Sequence, residues 1–331
     1  QCADSLVPIL TSIVNISLAT CDFSTELKRA LISPLIKKLA LDCEILKHYR
    51  PVSNLSFLSK LIERIVAVQF VQHLTDNGLY EVFQSAYRHL HSTETALLRV
   101  HNDILQAVDS HGGAILVLLD LSAAFDTIDH DKLLNILEQG FGVRDEALAW
   151  FRSYLSDRTQ AVVIDKESSD PFTLLFGVPQ GSVLGPILFS IYTSPLGNII
   201  KKHDLCYYLY ADDTQLYIAI KPNDPCSIGD AVSKIQACVA DIKAWMTYNM
   251  LKLNGDKTEI LIITSKQQVS KVTGITMDFD NAIIRPASNV RNLGVIFDST
   301  FNMDQQVNNI CKTSYWQIHK IDWLDQKVPG Y

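Results

Sequence analysis

The sequence predicts a mixed α/β fold, and three observations carry that prediction. Up to about Arg99, apolar residues recur at helical spacing, as at Leu58, Leu61, Ile62, Ile65 and Val66, the step that lines one face of a helix. Ala114 to Leu119 (AILVLL) is instead a continuous apolar run rich in branched residues, which suits a strand buried on both faces. Tyr207 to Ile220 (YYLYADDTQLYIAI) sets two β-rich arms about a polar ADDT centre, a hairpin pattern.

The remaining elements follow in order. Ser53 and Asn54 are candidate caps for the helix that carries Leu58 to Val66. Asp120 closes the first strand. Asp129 to Gln139 and Asp145 to Leu155 have amphipathic helical spacing, and Thr159 to Ile164 with Phe172 to Val178 reads as a strand pair. Ile187 to Thr193 is apolar on nearly all sides, so it is a buried helix. Ile228, Val232, Ile235, Val239, Ile242 and Trp245 form one stripe of a long helix from about Ile228 to Met246. Strands are expected near Glu259 to Ile263 and Asn292 to Phe297, and the last thirty residues have no clear period.

Composition bounds the function classes. With 331 residues, 47% hydrophobic and 20% charged, and a mean hydropathy of +0.11, the chain is neither disordered, collagen-like nor a coiled coil. No repeat, low-complexity tract or linker divides it, so any lobes share one body. The charge-free stretch from Pro171 to Ile200 contains Pro179, Pro186 and Pro195 with four glycines, which argues against a membrane span. The chain starts at Gln1 without a basic leader, so it reads as an excised piece and not as a secreted protein. Its seven cysteines, none closer than the twelve residues between Cys226 and Cys238, contain no CxxC pair and read as reduced thiols of an intracellular protein.

Charge is uneven. The chain carries −7 overall, yet the segment from Glu26 to Arg64 is +4. Its Lys37, Lys38, Lys60 and Arg64 could meet nucleic-acid phosphates; a solvated basic helix face explains the same count. The sharpest chemistry lies in Asp120 at a strand end and Asp212-Asp213 at a hairpin turn. Either alone is ordinary turn chemistry. Brought together by one sheet, such carboxylates repel one another unless a cation intervenes, and Mg²⁺ with a phosphorylated substrate is the natural partner.

The chain resembles reverse transcriptases of LINE-type, non-LTR retrotransposons. The resemblance rests on segments in the family's order: YRPVSNLSFLSKLIER (Tyr49 to Arg64), FQSAYRHLHSTETAL (Phe83 to Leu97), LLDLSAAFDTIDH (Leu118 to His130), GVPQGSVLGPILF (Gly177 to Phe189), YADDTQLY (Tyr210 to Tyr217), LKLNGDKTE (Leu251 to Glu259) and NLGVIFD (Asn292 to Asp298). It implies a right-hand polymerase of α/β (α+β) class, with helical fingers and a palm on a mixed or antiparallel sheet. Residues 1–113 would hold the N-terminal segment and fingers, 114–301 the palm with its catalytic motifs, and 302–331 the start of a largely missing thumb.

The same resemblance implies roles. Asp120, Asp212 and Asp213 would ligate two Mg²⁺ ions, with Mn²⁺ as an alternative. Lys257 would stand near the leaving pyrophosphate. Phe125 would pack beneath the nucleotide sugar and refuse a 2′-hydroxyl; without the resemblance it is an aromatic core residue. Gln180 would contact incoming nucleotide and template, Gly181 would permit close backbone approach, and Ser182 could cap the following helix. Arg88 would grip the triphosphate. Ala86 and Leu90 stand where relatives usually carry glycines, which predicts strain in a turn that needs positive φ.

The implied activity is RNA-directed DNA synthesis by two-metal nucleotidyl transfer. Its partners would be an RNA template (the element's own RNA), a DNA primer and dNTPs, with no membrane, and the family places it in nucleus and cytoplasm. Two readings compete: a catalytically impaired or domesticated nucleic-acid-binding relic, and a metal-dependent nuclease. The nuclease reading leaves Phe125 and the PQG loop unexplained.

Overall fold

A computed structural model describes residues 3–38, 41–122, 125–165, 167–279 and 282–325. Ala123 and Ala124 of the LLDLSAAFDTIDH segment, Cys2, and the last six residues of the sequence lie outside the described residues. Helix α1 (Ala3–Ala19) is followed by strands β1 (Arg29–Ile36) and β2 (Tyr49–Asn54), where helical spacing was expected to continue. Pro34 and Pro51 explain the change: they pair across the two strands, and neither would fit a helix interior. Helix α2 (Phe57–Asp76) accordingly starts late. Its cap is Ser56, whose hydroxyl accepts the Ser59 N–H, while the expected caps Ser53 and Asn54 are strand residues.

Helix α3 (Thr93–His111) opens with a reciprocal Ser92–Thr95 capping box. Then come β3 (Gly113–Leu119), β4 (Leu121–Ser122), α4 (His130–Phe141) and α5 (Asp145–Leu155). Asp129 caps α4 by accepting the Lys132 N–H. The expected strand pair is β5 (Arg158–Ile164) and the shorter β7 (Phe172–Leu174), with β6 (Glu167–Ser168) between them. Helix α6 (Gly185–Thr193) is buried as expected. It leads through α7 (Pro195–Lys201) to the hairpin β8 (Cys206–Tyr210) and β9 (Asp213–Ile220), and on to α8 (Pro225–Tyr248) and β10 (Lys252–Leu253). After β11 (Glu259–Thr264) and the pair β12 (Met277–Phe279) and β13 (Ala282–Ile284), the single strand expected near Asn292 is a hairpin of β14 (Asn289–Asn292) and β15 (Val295–Asp298). Within the last thirty residues, which have no clear period, Asp304–Asp325 form α9.

The contacts divide the chain into two units. The first comprises Gln1–Tyr87, Leu121–Leu196 and Ala244–Lys252. Its sheet has the order β2-β1-β5-β6, with β7 also on β5, and β1 runs parallel to β5. Phe23 meets Trp150 and Tyr154 edge-on at 5.6 and 5.3 Å, and those two stack at 5.5 Å. A fully buried Phe contributes about 1.5–3 kcal/mol of transfer energy, and ring pairs add about 0.5–1.5 kcal/mol each. Lys28 is also buried, and desolvation lowers its ammonium pKa against the pull of Asp157 and Asp22. One of the positive charges counted in the basic segment is therefore turned inward.

The second unit comprises Arg88–Asp120, Gly197–Lys243 and Leu253–Tyr331. Its sheet, β11-β3-β9-β8, is antiparallel throughout. Helix α3 packs across it through Ala96, Leu97, Val100 and Ile104, all buried. Ala114 to Val117 of β3 are at most 1% exposed, so the continuous apolar run is the centre of this core. The six described cysteines are free thiols. Among the described residues, no helix is long and apolar enough to cross a membrane.

Strain in the FQSAYRHL segment falls at Leu90 (φ 59°) and Tyr87 (φ 60°), not at Ala86. Leu90 is 85% exposed, so no packing compensates its left-handed backbone, which costs a branched residue about 1–2 kcal/mol. Leu90→Gly should raise the denaturant midpoint at unchanged slope, a net gain of about 0.5–1 kcal/mol after glycine's extra unfolded-chain entropy. An unchanged midpoint would mean the turn relaxes around Leu90.

Candidate active site

Strand register builds one end of the second unit's sheet. Pairing of Leu119 with Thr214 sets the start of β9 beside the end of β3, so Asp213 and Asp120 share that end. The β8–β9 hairpin pairs Tyr210 with Asp213, which leaves Ala211 and Asp212 as its loop. Two-residue hairpin loops need positive φ, and Ala211 supplies it at 55°. On the other side, β11 pairs Glu259 with Leu118, and the turn before it delivers Asn254 and Lys257. The Asp120 carboxylate accepts from Lys257 Nζ at 2.9 Å and from Asn254 Nδ2 at 3.2 Å. The Asn254 N–H donates to the Asp120 carbonyl at 2.9 Å.

Asp120, Asp213, Lys257 and Glu259 line a pocket of about 470 Å³ together with Thr214, Gln215 and Asn292. Burial, then the charges of Asp212 and Asp120, push the Asp213 carboxyl up to about 6, against an opposing pull from Lys257. Among the described residues, no three His, Cys, Asp or Glu side chains are gathered closely enough to hold a metal ion. Asp120 is held by Lys257 and Asn254, and like charges disfavour closer approach of the other two. The donor set still fits a hard divalent cation: oxygen ligands whose mutual repulsion a positive ion would relieve.

Phe125, Gln180 and Gly181 belong to the first unit. The Gly177 N–H donates to Ile128 O at 2.7 Å and the Val178 N–H to Phe125 O at 2.8 Å, which lays the PQG loop along the segment after Phe125. At Gly177 (φ 85°) a Cβ would stand 2.8 Å from the Asp126 carbonyl oxygen, so only glycine permits this approach. The Gln180 amide donates to both oxygens of Asp126, at 2.9 and 2.8 Å. Sequence reasoning missed Asp126, whose partner lies 54 residues away along the chain. Gly181 (φ 112°) lies against β2, where a Cβ would meet Ser53 O at 2.8 Å. Ser182 Oγ accepts the Gly185 N–H at 3.0 Å, but the N-cap position of α6 is Leu184 and not the expected Ser182. The Phe125 ring lies 4.8 Å from that of Phe189, tilted by 31°.

Arg88, half-buried, belongs with Asp120, Asp212, Asp213 and Lys257 to the second unit. Lys37 and Lys38 are exposed beyond β1, and Lys37 Nζ donates to Lys47 O at 2.7 Å. Lys60 and Arg64 stand on α2, half-buried and exposed respectively. These four basic residues are in the first unit.

Comparison with known proteins follows the same lines. The family described as "Reverse transcriptase (RNA-dependent DNA polymerase)" matches residues 36–297. The chain is 31% identical over 320 residues to a "Probable RNA-directed DNA polymerase from transposon BS" of Drosophila melanogaster, covering 95% of this chain and 34% of that protein. It is 27% identical over 281 residues to the "RNA-directed DNA polymerase from mobile element jockey" of the same organism, covering 83% and 30%. The chain thus spans about a third of the length of these curated relatives. Among solved structures, apo telomerase from Candida Tropicalis, truncated from the C-terminal domain, superposes with a TM-score of 0.57 at 13% identity over 91% of this chain and 59% of that one. That likeness concerns the fold alone, a right-hand polymerase fold as expected.

Asp213 generates a pH prediction. Its folded pKa lies above the unfolded value of 3.8, so the native state binds the proton more tightly and stability from this group falls as pH rises through about 4–6. Asp213→Asn should therefore melt above the wild type at pH 7, with the difference shrinking toward pH 4. A difference that does not change with pH would remove the carboxyl's burial and repulsion as its cause.

Proposed function

The chain belongs to the reverse transcriptase (RNA-dependent DNA polymerase) family, and on that premise we propose that it is the polymerase domain of a non-LTR retrotransposon. It transfers nucleotides from dNTPs to a DNA primer's 3′-hydroxyl on an RNA template, the element's own RNA, within nucleus and cytoplasm. Residues 1–113 act as fingers, 114–301 as palm and 302–331 as the start of a thumb. The observation that carries the reading is the sheet register that sets Asp120, Asp213 and Lys257 around one pocket.

Asp120, Asp212 and Asp213 are the residues that would hold two Mg²⁺ ions, or Mn²⁺, and the chemistry these supply when bound is activation of a hydroxyl and charge neutralisation at a triphosphate. The chain's own groups position the substrates. Lys257 brings a positive charge, now balanced by Asp120, to the side where pyrophosphate leaves. Asp126 holds the nitrogen of the Gln180 amide, which turns its carbonyl oxygen away as an acceptor for nucleotide and template. Phe125, braced on Phe189, fills the volume a 2′-hydroxyl would need. Arg88 offers the planar fork suited to a triphosphate, and Lys37, Lys38, Lys60 and Arg64 attract the nucleic-acid backbone.

Primer extension tests both the chemistry and the gate. On a primed RNA template with dNTPs and Mg²⁺, the wild-type chain should extend the primer and Asp212→Asn should not, with the same thermal unfolding. Phe125→Val should keep dNTP incorporation while the dNTP-over-rNTP preference in kcat/KM falls at least tenfold, about 1.4 kcal/mol of differential transition-state binding. Equal extension by wild type and Asp212→Asn would sink the polymerase reading. General loss with unchanged sugar selectivity would make Phe125 a packing residue for Phe189.

A further inference from the structure

The stretch read from sequence as basic carries one acid that faces inward. Glu63, on α2, is 0% exposed, and four donors converge on its carboxylate. Ser59 Oγ donates to Oε1 at 3.2 Å, and Tyr154 Oη donates to Oε2 at 3.2 Å. The backbone N–H groups of Val183 and Leu184 donate to the same Oε2 at 2.7 and 3.1 Å. A buried carboxylate costs several kcal/mol unless such bonds satisfy it, and an apolar side chain of similar volume would serve packing as well or better. Stability alone therefore gives a poor account of an acid here.

Its bonds define what it holds. Val183 and Leu184 end the PQG loop, just before the first turn of α6, where backbone N–H groups have no partner within the helix. Glu63 takes two of them and Ser182 takes the next, from Gly185. The loop's other end is fixed by β2: the Ser53 N–H donates to Gln180 O at 2.8 Å, and Gly181 rests against the Ser53 carbonyl. Ser53 and Glu63 both lie in YRPVSNLSFLSKLIER, so one short stretch clamps the loop at both ends. Residues 178–184 have no strand or helix of their own.

We propose that Glu63 is a positioning residue that sets the Gln180–Gly181 loop for nucleotide and template contact through its hold on the Val183 and Leu184 N–H groups. What the loop does rests on the polymerase reading above; how it is held does not. Removing the carboxylate frees the loop's C-terminal end, so Gln180 loses its place although its own partner Asp126 remains.

Hydrogen exchange on the full chain tests the hold without any activity. In the wild type, the Val183 and Leu184 amides should exchange at least a hundredfold slower than unprotected amides, and Glu63→Gln should speed both at least tenfold while Leu188, deeper in α6, is unchanged. Single-nucleotide kinetics test the positioning. Glu63→Gln should raise KM for dNTP at least tenfold with a smaller change in kcat, and adding it to Gln180→Ala should cost nothing further, because both act through one loop. Glu63→Asp, which keeps the charge but shortens the reach, should show the same KM rise if Glu63→Gln does not fold. Unprotected amides in the wild type, or losses that multiply in the double variant, would overturn the proposal. A wild-type chain that incorporates no nucleotide would instead overturn the polymerase reading, while the exchange arm still decides whether Glu63 holds the loop.

Discussion

Antiparallel register at β3 is the constraint on which the second unit depends. Because β3 is buried on both faces, a slip of one residue against β9 or β11 would exchange the side chains of those faces and break the packing on each. The register that buries Ala114 to Val117 is thus the one that sets Leu119 opposite Thr214 and Leu118 opposite Glu259. Asp120 and Asp213 cannot separate without undoing that core, so their repulsion is a fixed property of the fold. Lys257 relieves part of it and burial aggravates it, and the net result is a carboxyl at about 6. A site whose charge is unbalanced by construction is one in which a cation or a polyanion-bearing cation complex changes the energy most.

Much of this was legible in sequence. A strand with a carboxylate at its end, a hairpin about ADDT, and helices from Asp145 and through Ile187 were all readable, because each is a local period longer than its own uncertainty. The β1–β2 pair was not, since proline in both strands hides an alternation that helical spacing mimics over six to eight residues. Nor was the hairpin of β14 and β15, whose strands have four residues each. Helix α9 was missed because Val307, Ile310, Tyr315, Trp316 and Ile318 leave its apolar residues more than half exposed, so no buried stripe organises the pattern.

The site divides along the same line. The carboxylates could be named because the resemblance joins the Asp of LLDLSAAFDTIDH to the Asp pair of YADDTQLY, each ordinary turn chemistry by itself. Asp126 and Glu63 could not, because their roles arise from contacts 54 and 120 residues away along the chain. Nothing in the local pattern around Glu63 sets it apart from the exposed Arg64 beside it; only the packing of α2 decides which of the two faces in. The +4 count for this segment was correct as arithmetic and incomplete as structure, since Lys28 and Glu63 are both buried.

Positive φ makes a last distinction between tolerated and costly backbone. Asp145, Asp157, Asp165 and Asp204 take left-handed conformations, which aspartate adopts with local hydrogen bonding to help. Ala211, which has no polar side chain, also stands at φ 55°, in the loop that carries Asp212. Glycine there would remove a strain of about 1–2 kcal/mol, but would also free the loop's backbone and spread Asp212 over more conformations. Alanine gives up some stability and confines the loop. On the polymerase reading proposed above, that confinement would offset the strain, because Asp212 then meets its neighbours in fewer arrangements.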